Sequence, residues 1–464
     1  MIKLSKYVII IILLTGLCNE AIAQQTETDI YNVERISLPD DAVLEVGGMV
    51  FNENGNLAVT TRRGELWIVE NPSSSRPIFK KFAEGLHEPL GLNYKNGAYY
   101  LTQRGELSKL RDTNGDGTAD VYETIYEWPL DGNYHEYSYG PRFLPNGDML
   151  VTLNLGWIGQ GASLSKWRGW MVRITPDGKL TPFATGLRSP LGFNFNTKGD
   201  IFYAENQGDW IGSGWIMHLE EGDFAGNPEG LKWTGLPESP LDLTYDEIAD
   251  SHAETMYKEA QRTPELKLPT VWIPHAVFGI STSGILPVTS NDQIGPFKGQ
   301  LLVADQGYSR INRVALEKVK GEYQGAVFGL REGFSSGITR IIWGPDNTLY
   351  AGMTERGWNS LGPEPYGIDR MKWEGTTPFE IHSINAKPDG FMLNFTKPVD
   401  KKSAADINSY SITDFTYLYH SNYGSPIVKK EERDIARVEV AEDGQSARLY
   451  VRGMRPGFIY EIRA

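Results

Sequence analysis

Between Arg111 and Ile125 the sequence reads RDTNGDGTADVYETI, setting oxygen-bearing side chains at loop positions 1, 3, 5, 9 and 12: Asp112, Asn114, Asp116, Asp120 and Glu123. Gly117 takes position 6, where the loop must turn sharply, so the spacing is that of an EF-hand calcium loop. The flanks differ from that motif. GELSKL before the loop reads as a strand, and VYETIYEW after it is rich in β-branched and aromatic residues. A helix pair that opens on binding calcium is therefore not expected. The expectation is a structural calcium loop, with a solvated acidic turn as the alternative.

The histidines offer a second kind of chemistry. His135 in NYHEYSYGPRF, His87 in GLHEPLG and His275 in VWIPHAVFG each stand just ahead of a strand that opens with glycine or follows a similar pattern. Three histidines at one phase of a repeat point to a shared site, although each taken singly reads as a packed or surface residue. Arg188 in GLRSPLG and Arg340 in GITRIIWG fall at the same phase. A planar guanidinium there suits carboxylates or phosphates. AENQGDW, residues 204–210, adds oxygens that could hold a second cation.

The elements that must carry these residues recur. A short run opening near glycine, a turn of NG, GD or PD type, and a second run appear with openers at 48, 91, 140, 192, 284 and 337. The spacings are 43, 49, 52, 92 and 53 residues, a period that signals a β-propeller. Six blades over residues 30–375 are expected, with seven as the alternative. The long interval holds an insertion at about 220–268, where DEIADSHAETMYKEAQ has helical character. After Gly375 the runs alternate as half-buried antiparallel strands do, and residues 378–464 read as a small C-terminal β-sandwich of Ig/FnIII-like kind. The fold class is all-β.

Bulk properties narrow the partners. The chain has 464 residues, a net charge of -14, 22% charged and 40% hydrophobic residues. An acidic chain does not suit nucleic acid. Lys3 and Lys6, the run YVIIIILLTGL and the small residues Ala21 and Ala23 read as a signal peptide over 1–23, placing the protein in the periplasm or outside the cell. A lipid anchor at Cys18 is the lesser reading, because Leu17 stands where small residues are favoured. No membrane span is expected after cleavage. Cys18 is the single cysteine, so the mature chain has no disulfide, thiolate metal site or c-type haem attachment.

The order GLRSPLGFNF, DIFYAENQGDW, EEGDFAGNPEG resembles the glucose/sorbosone dehydrogenase family, soluble six-bladed sugar dehydrogenases dependent on PQQ, in a secreted bacterial branch. The resemblance runs from about residue 40 to 375 and implies a role for each matching position. His135 corresponds to the catalytic base that takes the sugar hydroxyl proton. Arg188 and Arg340 correspond to arginines on the quinone, Gln207 and Gly208 to oxygens on its calcium, and Trp272 to the tryptophan beside it. Tyr134 stands where the family has aspartate, and LLVADQGYSR lacks the family's lysine. The implied activity is oxidation of a sugar or polyol with PQQ and calcium, passing electrons to an external acceptor. The alternatives are a sugar-active hydrolase or lyase using His135 with Glu136, His275 or calcium, and a non-catalytic carbohydrate-binding propeller.

Overall fold

The computed structural model describes residues 26–464; the expected signal peptide lies outside them. The chain is all-β, and residues 31–373 form six consecutive four-stranded antiparallel sheets. Sheet 1 comprises Val46–Phe51, Leu57–Thr61, Glu65–Glu70 and Ile78–Ala83. Sheet 2 comprises Gly91–Lys95, Ala98–Thr102, Glu106–Arg111 and Val121–Glu127. Sheet 3 takes Ser138–Phe143, Met149–Leu153, Trp170–Ile174 and Leu180–Thr185, while sheet 4 takes Gly192–Phe195, Ile201–Glu205, Gly214–Leu219 and Val271–Ile273. Sheet 5 has Thr282–Pro287, Leu301–Asp305, Arg310–Val319 and Glu322–Arg331. Sheet 6 has Ile338–Trp343, Leu349–Thr354 and Tyr366–Trp373, and its fourth strand is Tyr31–Arg35 from the start of the chain.

The first strands of successive sheets touch one another in order, and that of sheet 6 touches that of sheet 1, so they line a common axis. Glycine makes the approach close. A Cβ on Gly91 would lie 1.7 Å from the carbonyl oxygen of Gly140, and one on Gly192 would lie 1.9 Å from that of Ser283. Buried side chains then tie each sheet to the next. The hydroxyls of Thr60, Thr102 and Thr152 donate to the carbonyls of Pro89 (3.0 Å), Ser138 (3.1 Å) and Pro190 (3.1 Å). Asn194 Nδ2 donates to Ile285 (2.9 Å), Ser283 to Ile338 (2.6 Å) and Thr339 to Val46 (3.0 Å), completing the circuit. Each bond satisfies a carbonyl at the junction between neighbouring sheets.

The long interval in the repeat lies inside sheet 4, between its third and fourth strands. The helical expectation there is corrected: its only α-helix is the single turn Met256–Glu259, beside short 3-10 turns at Pro228–Trp233 and Tyr245–Glu247. The segment is held by packing instead, since Leu231, Leu241, Leu243, Ile248, Met256 and Leu266 join the core of sheets 3 and 4.

Beyond sheet 6, Ile381–Lys387, Gly390–Phe395, Ser446–Val451 and Ile435–Val440 form a four-stranded sheet, and Val428–Glu432, Ser411–Thr416 and Ile459–Arg463 a three-stranded one. Leu393 and Leu449 from one and Ile412 and Ile462 from the other share a core. The connection 417–425, between two strands of the smaller sheet, reaches back onto sheet 4. Among the described residues no helix is long and apolar enough to cross a membrane.

Candidate functional site

Because neighbouring strands are antiparallel, the loop leading into each first strand and the residue leaving each second strand lie at one end of the sheets. The residue after the second strand is polar in all six: Arg62, Gln103, Asn154, Asn206, Gln306 and Glu355. Several hold the lead-in loops. The Gln103 carboxamide accepts from His87 N, and Asn154 Nδ2 donates to the His135 carbonyl at 2.9 Å. Glu205, which ends the second strand of sheet 4, accepts from Arg188 N (2.8 Å) and Ser189 N (2.9 Å).

His135 is carried by a braced loop. Asn133 Oδ1 accepts from His135 N and Trp157 N, both at 3.0 Å. Beneath it Glu136, fully buried, accepts from Ser165 Oγ (2.7 Å) and Asp131 N (2.9 Å) and lies 3.7 Å from Arg168. Glu136 is thus occupied in holding the loop, which removes it as the partner in a hydrolase. The half-buried His135 ring meets Tyr134 (centroids 4.4 Å apart), Tyr137 (5.9 Å) and Trp157 (6.2 Å). Arg62 and Arg104 both stand over the Tyr137 ring at 5.2 Å, joined through Glu88. Burial, then the positive charges of Arg188, Arg104 and Arg62, push the His135 imidazolium below the ordinary 6.5, so the ring is neutral at physiological pH. Burial raises the Glu88 carboxyl, but its bonds to Arg62 and Arg104 outweigh that and keep it ionised.

Arg188 is buried, its Nε 3.2 Å from Asp209 Oδ1. Its guanidinium lies 5.4 Å from the Trp157 ring and 5.2 Å from that of Tyr423, which the 417–425 connection brings from the C-terminal sheets. Gly208 leaves room for it, since a Cβ there would meet Arg188 Nε at 2.3 Å. Gly161 N donates to Asp209 Oδ2 at 3.0 Å, fixing the acid from the other side. Among the described residues nothing accepts a hydrogen bond from Arg188 Nη2, so the guanidinium keeps donors for a ligand. Burial lifts the Glu205 carboxyl to about 7 despite Arg188 and three backbone N–H donors.

The other expected residues lie elsewhere. The Gly208 carbonyl accepts from both Ile211 N (2.9 Å) and Gly424 N (2.8 Å), which uses its two lone pairs. Gln207 donates to Gly212 O at 3.2 Å, and a Cβ on Gly424 would fall 2.5 Å from its side chain. Trp272, in the outermost strand of sheet 4, packs on Trp215 (5.3 Å) and Tyr417 (5.1 Å), away from His135. Arg340 reaches into the axis and donates to the carbonyls of Leu191 (3.1 Å), Thr339 (2.8 Å) and Leu90. The residues at these positions therefore do not fit PQQ with its calcium. His275 N donates to Ser213 Oγ at 2.8 Å, and among the described residues no hydrogen bond or ring pair joins His275 to His135.

In the acidic turn Asp112 accepts from Gly115 N (2.6 Å) and Gly117 N (2.8 Å), and Asn114 from Asp116 N (2.8 Å). Asp116 accepts from Thr118 N (2.9 Å), and Asp120 takes Thr113 N (2.9 Å) and Oγ1 (2.7 Å). Glu123 turns to Lys109 at 3.2 Å. Among the described residues no three acidic, histidine or cysteine side chains are grouped to hold a metal ion.

Sequence reasoning missed Arg62, Glu88, Arg104, Trp157 and Tyr423. The repeat phase could have supplied Arg62, since it leaves a second strand as Gln103 does.

Comparison places this geometry on a known frame. Residues 78–234 match the DUF7133 family, described as a domain of unknown function. Among curated proteins none matches the sequence. A Thermus thermophilus oxidoreductase described as a glucose dehydrogenase superposes with a TM-score of 0.53 at 18% identity, over 74% of this chain and 99% of its own. The PQQ-bound aldose sugar dehydrogenase of Streptomyces coelicolor gives 0.51 at 14%, over 74% and 98%. A Trichoderma reesei carbohydrate-active enzyme of family AA12 gives 0.52 at 15%, over 75% and 96%. The fold is that of the soluble sugar dehydrogenases, and the resemblance to the glucose/sorbosone dehydrogenase family holds at the level of fold.

Proposed function

We propose that this is an exported, carbohydrate-active protein in which a sugar or polyol binds at the rim formed by His135, Arg188, Trp157 and Tyr423. The six sheets are read as the blades of a propeller over residues 30–375, and residues 378–464 as a β-sandwich that lends Tyr423 to the site. The observation that carries the reading is a neutral, half-buried imidazole among three guanidinium groups and aromatic faces. Aromatic rings suit the apolar faces of a sugar, and Arg188 suits a carboxylate on it. His135 accepts a proton from a bound hydroxyl.

Oxidation by PQQ with calcium, passing electrons to an external acceptor, is the finer reading that rests on likeness of fold alone, and the residues present do not favour it. It requires the 417–425 connection to withdraw from Gly208. The carbonyl's double use favours a second reading, in which the rim binds a carbohydrate without a quinone. Calorimetric and absorbance titration of the calcium-loaded protein with PQQ decides between them. Micromolar binding supports the quinone oxidation. No binding, together with binding of uronate oligosaccharides that Arg188→Ala abolishes, supports the second. Failure of every sugar and of PQQ overturns both.

A further inference from the structure

The axis between the six sheets encloses a second arrangement of positive charge, separate from the rim. The cavity there opens partly to solvent and leaves about 30 Å³ for the centres of water molecules. Its wall is built from the first strands: Gly48, Gly91, Gly140, Gly192 and Gly284 bring the backbones close, and Phe193 and Ile341 are among the apolar side chains between them. Two charged side chains enter it, Arg142 from sheet 3 and Arg340 from sheet 6, which stand opposite one another in the cyclic order. No aspartate or glutamate lines the cavity.

The two arginines are not equivalent. Arg340 spends Nη1 and Nη2 on the carbonyls of Leu191, Thr339 and Leu90, and stands over the Tyr139 ring at 5.6 Å. Among the described residues Arg142 has no hydrogen-bond or ion-pair partner for its guanidinium. Burial lowers it to about 10, and Arg340, lowered likewise, feels its like charge. Both stay charged at neutral pH. Arg142 is part-buried, and its guanidinium, with five unused donors, faces a second cation across a cavity that solvent reaches and no carboxylate lines, an arrangement that attracts an anion.

We propose that the axial cavity binds a small inorganic anion of halide size between Arg142 and Arg340. The space takes only a few water molecules, enough for a halide and too little for a sugar ring or a quinone. The anion offsets the repulsion between the two guanidinium groups and thereby joins sheets 3 and 6 across the axis.

Bromide is the probe. Crystals of the full chain soaked in sodium bromide should show an anomalous peak within hydrogen-bond distance of Arg142. In solution, replacing glutamate by chloride at constant ionic strength should raise the melting temperature by about 1–2 °C per tenfold chloride. Arg142→Met should lose that dependence, and Arg142→Lys should keep part of it. A channel without bromide, or a chloride dependence unchanged in Arg142→Met, overturns the proposal. If Arg142→Met does not fold, the bromide map of the wild-type crystal decides.

Discussion

Two clusters of polar side chains sit on this frame, and they spend their hydrogen-bonding capacity in opposite ways. The acidic turn at 112–123 joins two outer strands of sheet 2, and the oxygens of Asp112, Asn114, Asp116 and Asp120 are met by N–H and hydroxyl groups of the same loop. The rim around Arg188 is assembled from three places far apart in sequence, and it leaves guanidinium donors over. Spacing made the first cluster look like the binding site. Unspent capacity marks the second as one. A local motif can satisfy itself, whereas groups positioned by separate elements answer to whatever binds between them.

If that contrast is right, the largest effect belongs to His135→Ala. Turnover of an accepted sugar should fall by about 10²–10⁴ with the melting temperature unchanged. Unchanged turnover would move the chemistry away from the rim. The same histidine sets the acid limb of the pH profile. Its folded pKa lies below 6.5, so activity should hold at neutral pH and fall only at lower pH, as the ring protonates. An acid limb centred above 6.5 would contradict its environment.

Next comes Tyr423→Ala, which removes one face of the Arg188 sandwich. Sugar affinity should drop about tenfold, a loss typical of one aromatic contact. A variant that binds as the wild type would leave the C-terminal sheets outside the site.

Asp116→Ala tests the other cluster. Should calcium bind there, Glu123 must leave Lys109, and the variant should melt lower than the wild type in calcium but not in chelator. Equal shifts in both media leave the turn as a self-contained acidic loop.

The smallest effect concerns Glu205. Its folded pKa is raised from 4.5 to about 7, so the native state binds the extra proton between those values and stability declines as pH rises through them. His135 works in the opposite direction, since its depressed pKa makes stability fall as pH drops below 6.5. Thermal melts of Glu205→Gln across this range should lose the first slope and keep the second.

Much of the frame was legible because its cause is local. The glycines at 48, 91, 140 and 192, at or near the start of their strands, face neighbouring backbones too closely for a Cβ, while Gly284 is tight at 3.3 Å, so the repeat carries them. Gly337, the sixth opener, instead lies against Gln306 and Thr354, and Thr339 takes its place toward sheet 1. Arg188 and His135 were legible for the same reason, by phase. Tyr423 was not, because no local pattern announces that a connection in one sheet pair will pair with Gly208 in another. Trp272 misled for the converse reason: its motif is local, but its strand is the outermost of sheet 4, and its ring is spent on Trp215 and Tyr417.

One further consequence belongs to Tyr31–Arg35, whose partner strand is Tyr366–Trp373. Among the described residues, the earliest strand waits for the last strand of the six sheets before it finds its place. Until the chain through Trp373 has emerged, sheet 6 presents a bare edge and the leading strand has nothing to pair with. Two nascent copies close together could each supply the other's missing strand, giving an exchanged dimer. A chaperone holding the leading strand would favour closure within one chain.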